Sequence, residues 1–155
     1  MQKILEREKA MKVAEFLDQR RQPIVRVRPS TTVGELLQRF RAENVGAVIV
    51  SDDDGSLDGV VTERDVARAA ATHRSGFLDL PVSALTTTAG VSCAPHDHIS
   101  DVARVMADRH IHHISVMSDG RVRDVINIVE ILDERLQDRR RVSRAIIGMS
   151  MFTHH

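Results

Sequence analysis

The sequence predicts a mixed α/β (α+β) protein made of two tandem copies of one unit, each running strand, helix, strand, strand, helix. Three observations predict this fold. Two stretches align at a constant offset, both contain short runs rich in β-branched residues, and both contain apolar residues at helical spacing. Because each copy has only about 60 residues, which is marginal for independent stability, we expect the two copies to pack their sheets together with pseudo-twofold symmetry.

The first strand and the first helix of each copy carry the clearest repeat. Residues 24–33, with the sequence IVRVRPSTTV, match residues 90–99, with the sequence GVSCAPHDHI. Both stretches lead into a helix whose apolar residues recur at intervals of three and four, which predicts one buried stripe. These residues are Val33, Leu36, Leu37 and Phe40 in the first helix, and Ile99, Val102, Ala103 and Met106 in the second.

A strand pair follows each of these helices. Residues 47–50 (AVIV) and 113–116 (HISV) are predicted strands, and the turns DDDG and SDG join them to second strands at 57–61 and 122–126. Asp-Gly is a strong hairpin signal. Helical patterns then resume at 63–72 and at 129–147.

The repeat sets the domain boundaries. We expect an N-terminal helical extension (1–10), a first repeat (11–72), a linker (73–81), a second repeat (82–136), and a C-terminal helix and tail (137–155). The last helix carries an apolar stripe that predicts either a homodimer contact or a helix folded back on its own core. The stripe consists of Ile131, Leu132, Leu136, Val142, Ile146 and Ile147.

Composition excludes several functional classes. With 22 Lys and Arg against 22 Asp and Glu, the formal net charge is zero, which argues against a general nucleic-acid-binding surface. Cys93 is the only cysteine, so no disulfide forms within the chain, and on a predicted strand it acts as a small hydrophobe. No membrane-spanning run, signal peptide, catalytic triad spacing or phosphate-binding glycine loop is present, so we expect a cytoplasmic protein that is not an enzyme.

Five histidines in the second copy suggest a metal site, because imidazole binds zinc, copper and nickel. They are His96, His98, His110, His112 and His113. A helix over 99–109 would separate the first two from the last three by about 16 Å, and neighbouring residues on a strand point to opposite faces. We therefore expect no metal site, and a metal sensor stays as an alternative function.

The segment 59–66, GVVTERDV, resembles the most specific motif of the tandem CBS-domain pair, or Bateman module: glycine, two hydrophobic residues, Ser or Thr, two variable residues, and Asp. The segments 29–33 (PSTTV), 44–50 (NVGAVIV) and 111–116 (IHHISV) also resemble the family, so the similarity covers roughly residues 11–136. The resemblance implies a flat module with two symmetry-related clefts that bind adenine nucleotides or related adenosyl ligands, and it implies dimerisation.

The same resemblance assigns roles at the first cleft. It implies that Thr62 contacts a phosphate and that Asp65 holds the ribose, since a carboxylate can accept both ribose hydroxyls. Gly59 lets the backbone approach its neighbours, and Arg64 or His113 lies near the phosphates. The same Thr62 and Asp65 also fit a helix capping box, which is the alternative, and both roles can hold together.

The other wall of this cleft is implied to come from the second repeat. It consists of Thr88, Val91, Cys93, Ile111, His112 and His113. Because the chain has no Trp or Tyr, the base would lie between aliphatic side chains such as Val91 and Ile111, for which ordinary core packing is the alternative. A structural histidine is likewise the alternative for His113.

The second copy departs from the motif, with Asp124, Asn127 and Glu130 in place of glycine, threonine and aspartate. Since Glu is one methylene longer than Asp, we expect one competent cleft per chain and a second, weaker one. The weaker cleft consists of Ile24, Val25, Val45, Ala47, Asn127 and Glu130. The predicted function is a non-catalytic regulatory module for AMP, ADP, ATP, NAD or S-adenosylmethionine, acting on its own dimer or on a separate effector protein. A ligand-free interaction scaffold is the other alternative.

Overall fold

The computed structural model describes residues 2, 11–20, 24–52, 58–73, 75–87, 90–135 and 143–144. Four predictions lie wholly or mostly outside them: the N-terminal extension apart from residue 2, the turn DDDG after Asp52, Thr88, and the last helix beyond 135 apart from residues 143–144, with Leu136, Val142, Ile146 and Ile147. The elements are α1 (Val13–Asp18), β1 (Arg26–Val27), α2 (Val33–Glu43), β2 (Ala47–Ser51), β3 (Asp58–Thr62), α3 (Glu63–Thr72), 3-10 turns at Phe77–Asp79 and Val82–Ala84, β4 (Ser92–Cys93), α4 (Ile99–Arg109), β5 (His113–Ser118), β6 (Arg121–Asn127) and α5 (128–135). The predicted α+β class and the order of elements in the two repeats are confirmed.

The strands form two sheets of the same design. The first has the order β1-β2-β3, with β1 parallel and β3 antiparallel to the central β2. The second has the order β4-β5-β6, with β4 parallel to β5. Asp119 and Gly120 join β5 to β6 with φ values of 54° and 72°, as the predicted Asp-Gly turn requires.

Alternation along β2 separates two cores in the first sheet. Ala47 and Ile49 point to one face and pack with Val60, Val122 and Val125, so side chains of both sheets meet there. The other face, with Val48 and Val50, packs against helices and turns. That core contains Val25, Val27, Val33, Leu36, Phe40, Val61, Val66, Val82 and Leu85 as well.

Matching helix ends show the repeat in the backbone. α2 begins at a capping box between Thr32 and Glu35 and ends at Asn44, whose φ is 51°. α4 ends in the same left-handed conformation at His110, with φ 54°. The predicted stripe is buried throughout α4, whereas in α2 the side chain of Leu37 lies at the edge of the stripe and stays 38% exposed.

The described residues divide into two compact units that are not the two halves of the sequence. One takes in residues 11–20, 95–112 and 126–135, and the other takes in 24–94, apart from the gaps, and 113–125. The first unit is joined by backbone bonds from Val13 to Asp97 (2.8 Å) and from Ala14 to Pro95 (2.9 Å). The second has the equivalent bonds from Val82 to Thr31 (2.8 Å) and from Ser83 to Pro29 (3.1 Å). We call the segments that begin at Val13 and at Val82 lead segments, because each precedes one repeat and bonds in the same way to the first strand-to-helix connection of the other copy, which lies in its own unit.

Within α5, Ile131 is fully buried, while Val129 and Leu132 are 62% and 50% exposed. The part of the chain that the structure describes contains no helix with the length and apolar character needed to cross a bilayer.

Candidate functional site

Thr62 and Asp65 form a reciprocal cap at the junction of β3 and α3. The Thr62 N–H donates to Asp65 Oδ2 at 2.8 Å, and the Asp65 N–H donates to Thr62 Oγ1 at 3.3 Å. The Thr62 hydroxyl also donates to Asp65 Oδ2 at 2.9 Å. The predicted capping box is therefore present. Among the described residues Asp65 Oδ1 accepts no hydrogen bond, so the carboxylate keeps one oxygen for another donor.

The start of α3 is fixed to the first sheet. Thr62 pairs with Ala47 in the β2–β3 register, and the Glu63 N–H donates to the Gly46 carbonyl at 3.0 Å. The strand pairing and this hydrogen bond together hold the cap of α3 at the edge where β2 begins. The first turn of a helix presents partial positive charge, so the cap is placed where an anionic group is stabilised.

Gly59 lies against the segment that follows the second 3-10 turn. A β-carbon at this position would overlap the methyl group of Thr86 and stand 3.1 Å from the Thr87 carbonyl oxygen. Val60 and Thr87 exchange backbone hydrogen bonds of 3.2 and 3.3 Å across the same contact. The glycine thus permits a close backbone approach, as predicted, and the neighbour it admits is the segment 86–87.

His113, the first residue of β5, lies near the start of α3 and is half-buried. A β-carbon added to Gly46 would stand 3.4 Å from His113 Cε1 and 3.2 Å from Glu63 Oε2. The imidazole and the Glu63 carboxylate therefore flank the same glycine. A residue of the second repeat reaches the helix start of the first.

The other predicted wall residues occupy different environments. Cys93 is buried in β4, and Val91 just before it is half-buried. In the other unit Ile111 is half-buried and its N–H donates to Met106 O, while His112 is exposed and its carbonyl accepts from Ile128. Arg64 is exposed on the first turn of α3.

Three residues of the predicted weaker cleft lie together. Ile24, Val25 and Val45 line a surface cavity of about 460 Å³, whose other walls are Arg26, Arg39, Ala42 and Glu43. Ala47 instead belongs to the core between the sheets, with Ile24 packed against it.

Asn127 and Glu130 form the counterpart of the Thr62 cap. The Asn127 N–H donates to Glu130 Oε2 at 2.9 Å, and the Val129 N–H donates to Asn127 Oδ1 at 2.9 Å. Asp124, which replaces the motif glycine, accepts from the Val125 N–H at 2.8 Å. The second repeat therefore keeps a cap at the same place, but Asn127 accepts from the residue two positions on, whereas Thr62 accepts from the residue three positions on.

The histidines do not converge. Where the structure describes the chain, no group of three or more His, Cys, Asp or Glu side chains is arranged to hold a metal ion. His98 and His110 flank α4 as its two cap residues, and His96 is an exposed side chain next to Asp97.

The sequence did not predict three contacts around these two caps. The Glu63 side chain lies against Gly46, the Thr86 side chain lies against Gly59, and Arg20 forms an ion pair with Glu130. None has a strong local signal. The acidic first turn of α3 and the Thr-rich run 86–88 are the only hints that the sequence contains.

A family model described as the CBS domain matches residues 13–72 and 82–137. Among solved structures, a CBS-domain-containing protein of Agrobacterium tumefaciens superposes with a TM-score of 0.71 at 30% identity, covering 81% of this chain and 94% of that one. A CBS domain protein of Pyrobaculum aerophilum, complexed with AMP, superposes with a TM-score of 0.63 at 23% identity, covering 77% and 89%.

A curated relative has a similarly low identity. An uncharacterized 17.7 kDa protein of Acidianus ambivalens is 24% identical over 106 residues, which are 68% of this chain and 63% of that protein. The chain therefore spans less than two thirds of this relative's length.

Proposed function

The chain belongs to the CBS-domain family, with two CBS domains in tandem, and we propose that it is a non-catalytic regulatory module that binds an adenine nucleotide or adenosyl ligand at Thr62 and Asp65. The binding state passes to its own homodimer or to a separate effector protein. A ligand shifts such an arrangement by as much as it prefers one state over the other.

The observation that carries the proposal is the half-used carboxylate of Asp65. Its Oδ2 atom accepts two hydrogen bonds from Thr62, while Oδ1 accepts none from the described residues. An ionised carboxylate has lone pairs for two vicinal hydroxyls of a ribose, and the bond to a charged acceptor is stronger than a neutral one. Because the cap holds the carboxylate in place, the ribose meets a preorganised acceptor.

Phosphate recognition rests on charge more than on free backbone donors. Two N–H groups of the first turn of α3 are already used, since Glu63 donates to Gly46 O and Asp65 donates to Thr62 Oγ1. What remains is the partial positive charge of the helix start, with Arg64 on its first turn and His113 beside Gly46. This set of groups supports an anion without fixing how many phosphates it carries.

The AMP complex of the Pyrobaculum aerophilum protein supports an adenosyl ligand, because that protein shares the fold of this chain. AMP, ADP, ATP, NAD and S-adenosylmethionine all present the ribose that Asp65 would hold. The proposal therefore names the adenosyl group as the recognised element. Val91 and Cys93, which belong to the same compact unit as Thr62 and Asp65, are proposed as further contacts.

The test compares two capping boxes, of which only one has a proposed ligand role. Asp65→Ala and Glu35→Ala each remove the carboxylate of a box, at the starts of α3 and α2 respectively. Each should lower the free energy of unfolding by about 1 kcal/mol. Only Asp65→Ala should weaken AMP binding in titration calorimetry, by about tenfold or more. Equal AMP affinities of the two variants would show that Asp65 is a helix cap alone.

A further inference from the structure

Arg20 and Glu130 form an ion pair through two separate nitrogen–oxygen contacts. Arg20 Nε lies 3.0 Å from Glu130 Oε1, and the Arg20 Nη2 group donates to Oε2 at 3.0 Å. The Arg20 side chain is only 9% exposed, while that of Glu130 is 38% exposed. Only the Nη2 contact is a hydrogen bond, so the guanidinium holds Oε2 by a charge-assisted bond and Oε1 by its charge alone.

Glu130 occupies the place in the second repeat that Asp65 occupies in the first. Both side chains stand three residues after a cap residue and accept from its N–H group, at 2.9 Å for Asn127 and 2.8 Å for Thr62. They differ in the contacts of the second carboxylate oxygen. Asp65 keeps Oδ1 without a partner among the described residues, whereas both oxygens of Glu130 face Arg20.

The position of Arg20 is fixed by the lead segment of the chain. Val13 and Phe16 of α1 are buried, and backbone bonds from Val13 to Asp97 and from Ile99 to Met11 tie this segment to the start of α4. Arg20 follows two residues after α1 ends. At the same distance along the equivalent lead segment of the first repeat, counted from Val82, the sequence has Ala89, which carries no charged group.

We propose that Arg20 occupies the carboxylate of Glu130, which corresponds to the proposed ribose-binding Asp65 of the first repeat. In this way Arg20 limits the chain to one nucleotide. The guanidinium donates to Oε2 and its charge lies against Oε1, so ribose hydroxyls would have to displace an ion pair to bind there. This inference rests on the proposed function, because it assigns to Glu130 the ligand role of Asp65. Freeing Glu130 from Arg20 should therefore create a second binding position.

The experiment uses full-length chains in which Asp65→Ala silences the first position, and AMP binding is measured by equilibrium dialysis. Asp65→Ala alone should bind little AMP. Adding Arg20→Met, which keeps the apolar stem, should restore about one site per chain with an affinity at least about tenfold above that of Asp65→Ala. A third change, Glu130→Ala, should abolish the restored binding.

Arg104→Met is the matched control, since Arg104 contacts Asp101 on the exposed face of α4 and has no proposed ligand role. Added to Asp65→Ala, it should restore nothing. Arg20→Ala serves as a second variant, and circular dichroism checks that every protein is folded. In the otherwise native chain, Arg20→Met should raise the stoichiometry from one to two.

The outcomes separate the two proposals. If the native chain binds AMP, Asp65→Ala does not, and neither Arg20 variant restores binding, this inference is wrong and the proposed function stands. If Asp65→Ala binds as the native chain does, the proposed site is wrong, and an unchanged stoichiometry in Arg20→Met would overturn this inference as well. If the native chain binds no AMP, the proposed function fails, and the inference survives only if an Arg20 variant binds.

Discussion

His113 of β5 lies against Gly46 at the start of β2, so close that a β-carbon on the glycine would stand 3.4 Å from its Cε1 atom. The Glu63 carboxylate approaches the same glycine, and the Glu63 N–H donates to its carbonyl. The imidazole therefore lies near the N-terminal end of α3. A neutral ring offers one hydrogen-bond donor there, and a protonated ring adds a positive charge. We expect His113 to contact an anion bound at the start of α3.

Replacing His113 with Ala should weaken nucleotide binding, and it should weaken ATP binding most. The loss of one hydrogen bond to a charged phosphate corresponds to about a tenfold loss of affinity or more. Titration calorimetry with AMP and ATP measures both values. His96→Ala is the control, because this histidine is 81% exposed and its only described pairing is with Asp97. Unchanged affinities in His113→Ala would assign the imidazole to packing.

Gly59→Ala should destabilise the protein, since the added methyl group meets the Thr86 side chain and the Thr87 carbonyl. Overpacking of this kind costs about 1–3 kcal/mol, and the segment 86–87 must shift to relieve it. Urea unfolding measures the change. Gly90→Ala is the control, because a β-carbon there would meet no atom of the described residues within 4 Å, and the change should alter stability by less than about 0.5 kcal/mol.

A double-mutant cycle shows whether the clash with Thr86 is the cause. Thr86→Ala removes the methyl group that lies nearest to the added β-carbon. Combined with Gly59→Ala, it should recover at least about half of the lost stability, so the two changes should not be additive. Additive effects would mean that the Thr87 backbone, and not the Thr86 side chain, limits this position.

The elements could be predicted because their signals are local. The stripe Ile99, Val102, Ala103 and Met106 repeats at helical spacing, and the Asp119-Gly120 pair adopts the turn that its sequence favours. The exchange of lead segments could not be predicted in this way. Backbone bonds from Val13 to Asp97 and from Val82 to Thr31 leave no periodic mark in the sequence, since any residue except proline can donate them.

In the candidate site, too, local contacts could be predicted from the sequence and long-range contacts could not. Thr62 and Asp65 are three residues apart, and their reciprocal bonds follow from a known local pattern. Arg20 and Glu130 are 110 positions apart, and nothing in the sequence around either residue indicates the pair. Leu37 shows the same limit on a smaller scale, because its exposure depends on where the neighbouring core ends.

A ligand panel in a thermal-shift assay should separate the proposed function from its two alternatives. A ligand at one hundred times its dissociation constant adds about 2.7 kcal/mol to the free energy of unfolding. We expect at least one of AMP, ADP, ATP, NAD and S-adenosylmethionine to stabilise the native chain and to leave Asp65→Ala unaffected, and we expect zinc to have no effect. Stabilisation by zinc alone would favour a metal sensor. If no ligand of the panel stabilises the protein, an interaction scaffold is favoured.

Val129 and Leu132 should lie in the contact of the proposed homodimer. They are three residues apart on α5, so they share one helix face, and they are 62% and 50% exposed while Ile131 is fully buried. Burying a Val or Leu side chain contributes about 1.5–3 kcal/mol, and a symmetric dimer buries each of them twice. The double change Val129→Ser with Leu132→Ser should therefore shift the protein from dimer to monomer in light scattering at micromolar concentration.

Leu78→Ser, at a 55% exposed leucine of the 3-10 turn Phe77–Asp79, should leave the dimer intact. A native chain that is monomeric under these conditions would exclude the dimer, and a double variant that stays dimeric would place the contact on another face.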